Sequence, residues 1–471
     1  MRFGLARWAP WCVAAGMLVA CTDRAITLEG DGMADDDAGA DGDSEGDGDG
    51  SSDPRDDEPS PEPPCTPGQP GCPCPDGTVL QGDQCAAPMD SLVAVSPLTV
   101  QALAKAATEP APVVQLFSAD GVPLSGVEIA FAATQGDGQI LNATNVLTDA
   151  EGVATPELWI IGPLAGTYAV TASVPSRPNV SPVTFTAETL GDWDITLQYI
   201  NPVTDQQAAA FEYAERRWEG IILNALEAVD TDAIDLGFQC GVEVGSAPLS
   251  VTGVHIFVEL GPIDGPGNGE ANILGQAGPC VLRDDLSPAA GIMRFDTFDL
   301  DQIAADGKLE TVILHEMGHV IGIGGLWSDI GLVENPSIPD NAGADTHFTG
   351  ANAQQAFLSL LGDLPYEGAI VPVENQAQPG SSDGHWRESV MTTELMTPRL
   401  GDVTQPTPLS ILTIASLIDN GFYEVNPYPA DPYSFLSKLT APSEVTTVPR
   451  RDEILKPRAM ISADGVITAL P

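Results

Sequence analysis

The stretch Ile313-Leu314-His315-Glu316-Met317-Gly318-His319-Val320-Ile321-Gly322 decides how the largest part of this chain is interpreted. Apolar residues surround the two histidines and continue back to Leu309, which predicts a buried helix. Residues four apart on a helix lie on one face, one turn apart. His315 and His319 are therefore spaced to bind one metal ion together.

The pattern favours zinc as that metal. Two imidazoles one helical turn apart can hold Zn²⁺, and Glu316, directly after the first, can take a proton from the water that the ion binds. The ion lowers the pKa of that water and polarises the scissile carbonyl. Burying His and Glu in an apolar helix without such a role would cost several kcal/mol. We therefore predict one zinc ion and a catalytic base at Glu316.

A catalytic zinc needs a third protein ligand and an open position. Downstream of the helix the sequence offers two histidines, His347 and His385. His385 is followed by Glu394-Leu395-Met396-Thr397, which resembles the methionine turn that metzincin peptidases have after their last ligand, and this resemblance favours His385. His347 stands at what reads as a loop or helix start. A glutamate such as Glu334 is the alternative ligand in another class of zinc peptidase. His255 lies in an apolar strand segment and is interpreted as structural.

These motifs resemble the leishmanolysin family of metzincin zinc peptidases, in which an insertion precedes the third histidine and a segment of the form HW…ELMT closes the site. In other metzincins the third histidine follows the glycine turn by three residues, where this chain has Gly325. Further matches cover most of residues 193–436, among them Gly275–Cys280, Gly325–Trp327 and Ala430–Tyr433.

The resemblance implies His315, His319 and His385 as ligands, Glu316 as base and Met396 as the methionine beneath the metal, with Met391 the alternative. It also implies an α+β catalytic domain over residues 191–440, with a mixed sheet whose edge strand, Ala271 to Gly278, binds the substrate backbone.

Two further expectations concern this domain. Cys240 and Cys280 are expected to pair and to stabilise the fold by about 2–4 kcal/mol. Asp296, Asp299 and Asp301 could bind Ca²⁺, but capping of the following helix is the commoner use of such residues.

The N-terminus has the pattern of an exported lipoprotein. Arg2 and Arg7 precede an apolar run that ends in Leu18-Val19-Ala20-Cys21, which resembles a lipobox and predicts a signal peptide over 1–20 with lipid on Cys21. A plain signal peptide is the alternative. We expect a bacterial cell-envelope protein, extracytoplasmic and held to the membrane by this lipid alone. The formal charge of −49 argues against nucleic acid as a partner.

The region between the anchor and the catalytic domain divides into three parts. Residues 21–64 are acidic and poor in large apolar side chains, which predicts a disordered tether. Residues 65–89 form a small module whose Cys65, Cys72, Cys74 and Cys85 are expected to make disulfides in an oxidising compartment. Residues 90–190 alternate with a period of two, and their order of motifs resembles bacterial Ig-like domains of the invasin type, which implies a β-sandwich.

The chain is thus predicted to be a multidomain protein, a β-sandwich followed by an α+β metzincin-type domain, and residues 441–471 read as a C-terminal tail without pattern. The favoured function is a zinc endopeptidase acting on proteins or peptides. The alternative is a non-catalytic surface adhesion or scaffold protein that binds zinc, against which the intact Glu316 argues.

Overall fold

The computed structural model describes residues 79–81, 84–86, 88–143, 146–232, 234–243, 250–265, 272–362, 370–376, 380–400, 404–435 and 450–470. All of them belong to one compact unit, Pro67–Pro471. The predicted signal peptide, Cys21, the acidic tether and Cys65, Cys72 and Cys74 lie outside the described residues, as does the side chain of Cys85. No helix within the described ranges is both long enough and apolar enough to cross a membrane.

The first part of the described chain is all β. Its strands are β1 (Val79–Gln81), β2 (Gln84–Ala86), β3 (Ser91–Ala94), β4 (Thr99–Ala102), β5 (Val114–Phe117), β6 (Glu128–Gln135), β7 (Gln139–Leu141), β8 (Val146–Leu147), β9 (Val153–Ala154), β10 (Leu158–Ile160), β11 (Thr167–Ser173) and β12 (Val183–Thr189). Strands β1 and β2 form a hairpin, and the others form sheets in the orders β4-β12-β11-β6-β8, β3-β5-β9 and β7-β10.

The alternating pattern explains this architecture. In β6, Ile129 and Phe131 are buried, and in β12, Phe185 and Ala187 are buried with more exposed residues between them. These side chains enclose one apolar core together with Trp159. Burial of every second residue is what a sheet with one solvated face requires.

The second part, from residue 193, is mixed α and β. Its elements are β13 (Ile195–Tyr199), α1 (Asp205–Glu219), β14 (Val229–Asp230), α2 (Leu236–Cys240), β15 (Ser250–Val251), β16 (Val254–Gly261), β17 (Asn272–Arg283), β18 (Pro288–Asp296), α3 (Thr297–Ala305), α4 (Leu309–Val320), β19 (Val333–Glu334), β20 (His347–Phe348), α5 (Ala351–Leu361), β21 (Val371–Pro372), α6 (Glu388–Met391), α7 (Ile411–Asn420), β22 (Arg450–Ile454), β23 (Ala459–Ile461) and β24 (Ile467–Ala469).

Helix α1 is shorter than its sequence pattern, which predicts a helix from Asp205 to Leu226. Thr204 caps its start, with a capping box to Gln207, and Gly220 caps its end. The residues after Gly220 pair with a distant segment instead, since Asn426 N–H donates to Ile221 O at 2.7 Å. Long-range backbone pairing therefore replaces the last helical turn. Helix α7 is capped by Gly421, which has a left-handed conformation.

The central sheet has the order β13-β16-β18-β17-β23-β24. Strands β13, β16 and β18 run parallel, and β17 runs antiparallel to β18. Helix α4 packs on β17 and β18, and α1 packs on α4. A hydrogen bond at 3.1 Å from Trp218 Nε1 to Leu314 O joins the two helices just before His315.

The C-terminal residues belong to this sheet and are not a separate tail. Strand β22 pairs in parallel with β17 along Asn272–Ala277, and β23 continues along Val281–Arg283. The stretch expected to be a free substrate-binding edge is therefore paired on both sides. This pairing joins residues far apart in the chain, so local pattern gives no sign of it.

Cys240 and Cys280 form a disulfide, as predicted, with their Cα atoms 5.1 Å apart. The bond ties the end of α2 to the middle of β17 and lies within a second apolar cluster that includes Phe257 and Val281.

Candidate metal centre

Helix α4 carries His315 and His319 on one face. The two rings stand edge to face, and their Nε2 atoms are 3.0 Å apart. The ring of His319 is fully buried, and burial lowers the pKa of its imidazole to about 4. His319 is therefore a neutral ring, and its one unprotonated nitrogen can serve as a ligand.

His385 reaches the same point from a loop that precedes α6. Its Nε2 lies 3.0 Å from Nε2 of His319. The loop is held by backbone hydrogen bonds on both sides of this residue, from Glu374 N–H to His385 O and from Trp386 N–H to Met396 O, each 2.9 Å. The structure thus brings together the three histidines that the sequence singles out.

Each of the three rings has a backbone carbonyl partner at Nδ1. His315 Nδ1 lies 2.6 Å from Leu395 O, His319 Nδ1 lies 2.9 Å from Ile323 O, and His385 Nδ1 lies 2.6 Å from Ser381 O. A carbonyl can only accept, so each Nδ1 carries a proton, and Nε2 is the nitrogen that would bind a metal ion. The three Nε2 atoms converge on one point.

A fourth donor, Asp452, completes the cluster. This residue was not identified from the sequence. Its Oδ2 lies 3.1, 2.9 and 2.7 Å from Nε2 of His315, His319 and His385. Asp452 sits in β22 and is buried. It is one of 67 acidic residues, in a segment without hydrophobic pattern, and nothing in its neighbourhood in the sequence marks it.

The chemistry of this donor set fits zinc. Bonds of about 2.0–2.1 Å in a tetrahedron place ligand nitrogens roughly 3.3 Å apart, close to the 3.0 Å seen between the imidazoles. The four donor atoms all lie within 4.8 Å of one another. A cation at the point where the three Nε2 atoms and the Asp452 carboxylate oxygen converge would be bound by all four donors.

Glu316 lies beside this cluster on α4 and is buried. Its Oε2 has no hydrogen-bond partner among the described residues. Burial, and then the nearby Asp452 carboxylate, raise the pKa of Glu316 well above its usual value. On the sheet side Gly275 of β17 approaches so closely that a Cβ there would overlap the Glu316 carboxylate. A buried carboxylate with a raised pKa is suited to accept and return a proton.

Met396 lies beneath the helix that carries the two histidines. A Cβ on Gly318 would be 3.1 Å from Met396 Sδ, so Gly318 lets the thioether pack directly against the turn between His315 and His319. Met391, the alternative, ends α6, where its carbonyl accepts a hydrogen bond from Tyr433 Oη at 2.7 Å. The geometry favours Met396 for the position beneath the metal.

The remaining candidate residues lie apart from the cluster. His347 Nε2 is 3.4 Å from Glu334 Oε2, so the two alternative ligands face each other in the β19–β20 hairpin. His255 is buried in β16, with Nε2 2.9 Å from Gln198 Oε1.

Of the aspartates considered for Ca²⁺, Asp296 serves as a helix cap. Asp296 caps α3 through a 2.8 Å hydrogen bond from Phe298 N–H, and its Oδ2 accepts from the N–H groups of Ile263, Asp264 and Gly265. Asp264, Asp296 and Asp299 lie together, and Asp301 is not part of that group. These hydrogen bonds account for the position of Asp296 without an ion.

A cleft opens beside the metal cluster. It is lined by Glu316, His315 and Asp452, by the apolar side chains of Leu274, Val312, Leu395, Pro398 and Leu400, and by Thr311, Thr397, Thr407 and Arg399.

Residues 238–434 are similar to the family described as leishmanolysin, peptidase M8. No match is found among curated proteins. The C-terminal 282-residue fragment of intimin, solved with the intimin-binding domain of its translocated receptor, is 22% identical, with a TM-score of 0.16. The Yersinia pseudotuberculosis adhesin InvE is 15% identical, with a TM-score of 0.18. These alignments cover 21% and 34% of this chain and 31% and 43% of those chains, and at such TM-scores they carry no structural argument.

The leishmanolysin match contains α4, His385 and Met396, but it ends before β22 and Asp452. It covers less than half of the chain. The match is to a family of zinc-dependent metallopeptidases, whose substrates are proteins or peptides.

Proposed function

We propose that this protein is a zinc endopeptidase in which His315, His319 and His385 hold one Zn²⁺ ion and Glu316 is the catalytic base. The observation that carries the proposal is the convergence of three Nε2 atoms, each ring fixed by a backbone carbonyl at Nδ1, beside a buried carboxylate whose Oε2 has no hydrogen-bond partner among the described residues. Metal ligation alone does not require that carboxylate.

The ion, when bound, would polarise the scissile carbonyl and lower the pKa of the attacking water. The protein's own groups transfer the proton and orient the ligands. Glu316 takes the proton of the attacking water and later returns it to the leaving amine, for which its raised pKa is suited. The carbonyls of Leu395, Ile323 and Ser381 fix the orientation of the three imidazoles. Met396 supports the helix turn between the first two ligands.

The substrate would be an extended peptide. Strand β17 passes close to Glu316 at Gly275, so a peptide that takes the place of β22 beside it would bring its carbonyls to the reacting groups. The partly apolar cleft beside Glu316 would take a side chain next to the scissile bond. These features favour cleavage within a chain, beside an apolar residue.

A second candidate function follows from Asp452. Closed, structural zinc sites have four protein donors around one point, as this cluster does. By that alternative the protein is a zinc-stabilised adhesion or scaffold protein, and Glu316 has no chemical role.

The test uses the full chain, saturated with Zn²⁺, in its natural form and as Asp452→Ala. Cleavage of casein and of a library of internally quenched peptides is measured for each, with Glu316→Gln added in both backgrounds. We expect one zinc per chain throughout, and cleavage that Glu316→Gln lowers by about 1,000-fold or more, as for a general base in a zinc site. His347→Ala serves as the matched control, with unchanged zinc content and rate.

Cleavage that is insensitive to Glu316→Gln, or no cleavage in either background at full zinc occupancy, would overturn the proposed endopeptidase and favour the structural zinc site. If His385→Ala binds zinc as tightly as the natural chain, another residue is the third ligand.

We also propose that the chain is exported and anchored by lipid on Cys21, which rests on the sequence Leu18–Cys21. The Cys240–Cys280 disulfide supports an oxidising compartment. Labelling of bacteria with an alkyne fatty acid tests the anchor. The natural chain should be labelled and Cys21→Ala should not, and equal labelling would overturn the proposal.

A further inference from the structure

The C-terminal strand β22 lies in the cleft that a peptide substrate needs. On one side it pairs with β17 from Asn272 to Ala277. On the other side, Ile454 N–H donates to Gly380 O at 3.1 Å, in the loop that carries His385. The strand therefore fills the space between the sheet edge and the third histidine.

Asp452 is the residue of this strand that faces the metal cluster. Its Oδ2 is within 3.1 Å of all three Nε2 atoms, at the position that an open zinc site leaves for water or a substrate carbonyl. What reaches the reacting centre is a side-chain carboxylate, and a carboxylate has no bond that the site can hydrolyse.

The residues after Asp452 extend the contact over the glycine turn that follows α4. A Cβ on Gly325 would lie 3.1 Å from Ile454 Cγ2, and Lys456 Nζ donates to Gly325 O at 3.0 Å. Leu455 N–H donates to Ala277 O of β17 at 2.7 Å, so the segment also contacts the sheet there. Side chains and backbone of Asp452–Lys456 thus make specific contacts to the helix turn and to the sheet.

We propose that the segment Arg450–Lys456 is a built-in inhibitor, which holds the peptidase latent by binding the substrate edge and by placing the Asp452 carboxylate on the metal as its fourth ligand. This inference rests on the proposed function of the same site. The substrate peptide and the segment compete for the same strand position and the same coordination position. Catalysis therefore requires the segment to leave, by displacement or by cleavage of the chain around it.

The test compares the natural full chain with Asp452→Ala and Asp452→Asn. Asp464→Ala is the matched control, because Asp464 is an acidic residue of the same C-terminal region that contacts Ser462 and lies outside the metal cluster. Two readouts need no catalysis. One is the visible absorption spectrum of the Co²⁺-loaded protein, and the other is equilibrium binding of a dansylated peptide hydroxamate to the Zn²⁺-loaded protein.

We expect Asp452→Ala to change the Co²⁺ spectrum and to bind the hydroxamate at least about tenfold more tightly than the natural chain, because the competing ligand is gone. Asp452→Asn keeps the shape of the side chain and should give an intermediate effect. Asp464→Ala should match the natural chain. Peptide cleavage, measured in parallel, should rise in the same order as hydroxamate affinity.

Equal spectra and equal hydroxamate affinities for the natural chain and Asp452→Ala, at equal zinc content, would overturn the inference. So would a natural chain that cleaves peptides as fast as the variant. If the hydroxamate binds only to Asp452→Ala but no peptide is cleaved, the proposed peptidase fails, while the contact between Asp452 and the metal stands. The two failures are therefore distinct.

Discussion

The carboxylate of Glu394 accepts a hydrogen bond from the backbone N–H of Met396 at 2.6 Å, and this bond closes the turn that supports the metal cluster. The other oxygen of Glu394 accepts from Ser410 Oγ at 2.7 Å and from Thr413 Oγ1 at 2.5 Å. Thr413 in turn accepts a hydrogen bond from Trp386 Nε1, next to His385. One buried carboxylate thus connects α7, the turn and the third histidine loop.

Replacement of Glu394 by Ala should destabilise the fold by about 3 kcal/mol, because it leaves several buried donors without an acceptor. Glu394→Gln retains one acceptor oxygen and should cost less. Urea denaturation of the zinc-loaded chains measures the difference. Since Leu395 O also holds His315, zinc affinity should fall by roughly 10–100-fold in Glu394→Ala. Equal unfolding free energies for Glu394→Ala and Glu394→Gln would contradict this account.

Gly275 is required by the position of the Glu316 carboxylate. In Gly275→Ala the new methyl group overlaps that carboxylate and must displace it. A misplaced catalytic group costs about 100-fold in rate, so kcat/KM should fall by about that factor while zinc content stays at one per chain. The assay is made in the Asp452→Ala background, where the cleft is free.

Gly261→Ala is the control for this prediction. Gly261 ends β16 in the same sheet, and a Cβ added there meets no atom within 4 Å in the described structure. Its rate should be unchanged. A comparable loss of rate in both variants would mean that the sheet, and not Glu316, is responsible.

The residues around the helix motif could be predicted because local spacing determines their geometry. Four-residue spacing on α4 places His315 and His319 together whatever the rest of the chain does. The motif that contains His385 and Met396 also has a local form, which the family resemblance makes recognisable. Residues 90–190 alternate with a period of two, and β6 and β11 are among the strands that form there for the same reason.

Asp452 and the course of β22 could not be predicted in this way. The strand has a run of charged residues, Arg450-Arg451-Asp452-Glu453, so it lacks the apolar alternation that marks a strand. It is held instead by backbone pairing to a strand about 180 residues earlier and by contacts to glycines, which leave no side-chain pattern. Likewise, the end of α1 is set by pairing of Ile221 with Asn426, which no local propensity encodes.

The Cys240–Cys280 disulfide closes a loop with a sequence separation of 40. By chain entropy, such a cross-link stabilises the folded state by about 4 kcal/mol. The double variant Cys240→Ser, Cys280→Ser should lose about this amount in urea denaturation under oxidising conditions. The natural chain with a thiol reductant should lose a similar amount, and the double variant should not respond to the reductant. If the reductant still lowers the free energy of unfolding of the double variant, other cysteines are responsible for its effect.

His255 should make stability depend on pH. It is buried in β16, where burial lowers the pKa of its imidazole to about 4 from an ordinary value of 6.5. Above pH 6.5 the ring is neutral in both folded and unfolded chains, so its full contribution to stability is present. As the pH falls from 6.5 towards 4, the unfolded chain takes up the proton first, and stability is lost at roughly 1.4 kcal/mol per pH unit.

Between pH 7 and pH 5 this loss amounts to about 2 kcal/mol. The variant His255→Gln does not titrate, and its amide can still donate to Gln198, the partner of His255 Nε2. The free energy of unfolding is measured in urea at both pH values for each chain, so that contributions from all other groups cancel in the difference. The natural chain should lose about 2 kcal/mol more than His255→Gln. Equal losses of unfolding free energy in the two chains would show that the pKa of His255 is the same in the folded and unfolded states. That result would contradict the burial of His255, whose Nδ1 has no hydrogen-bond partner among the described residues.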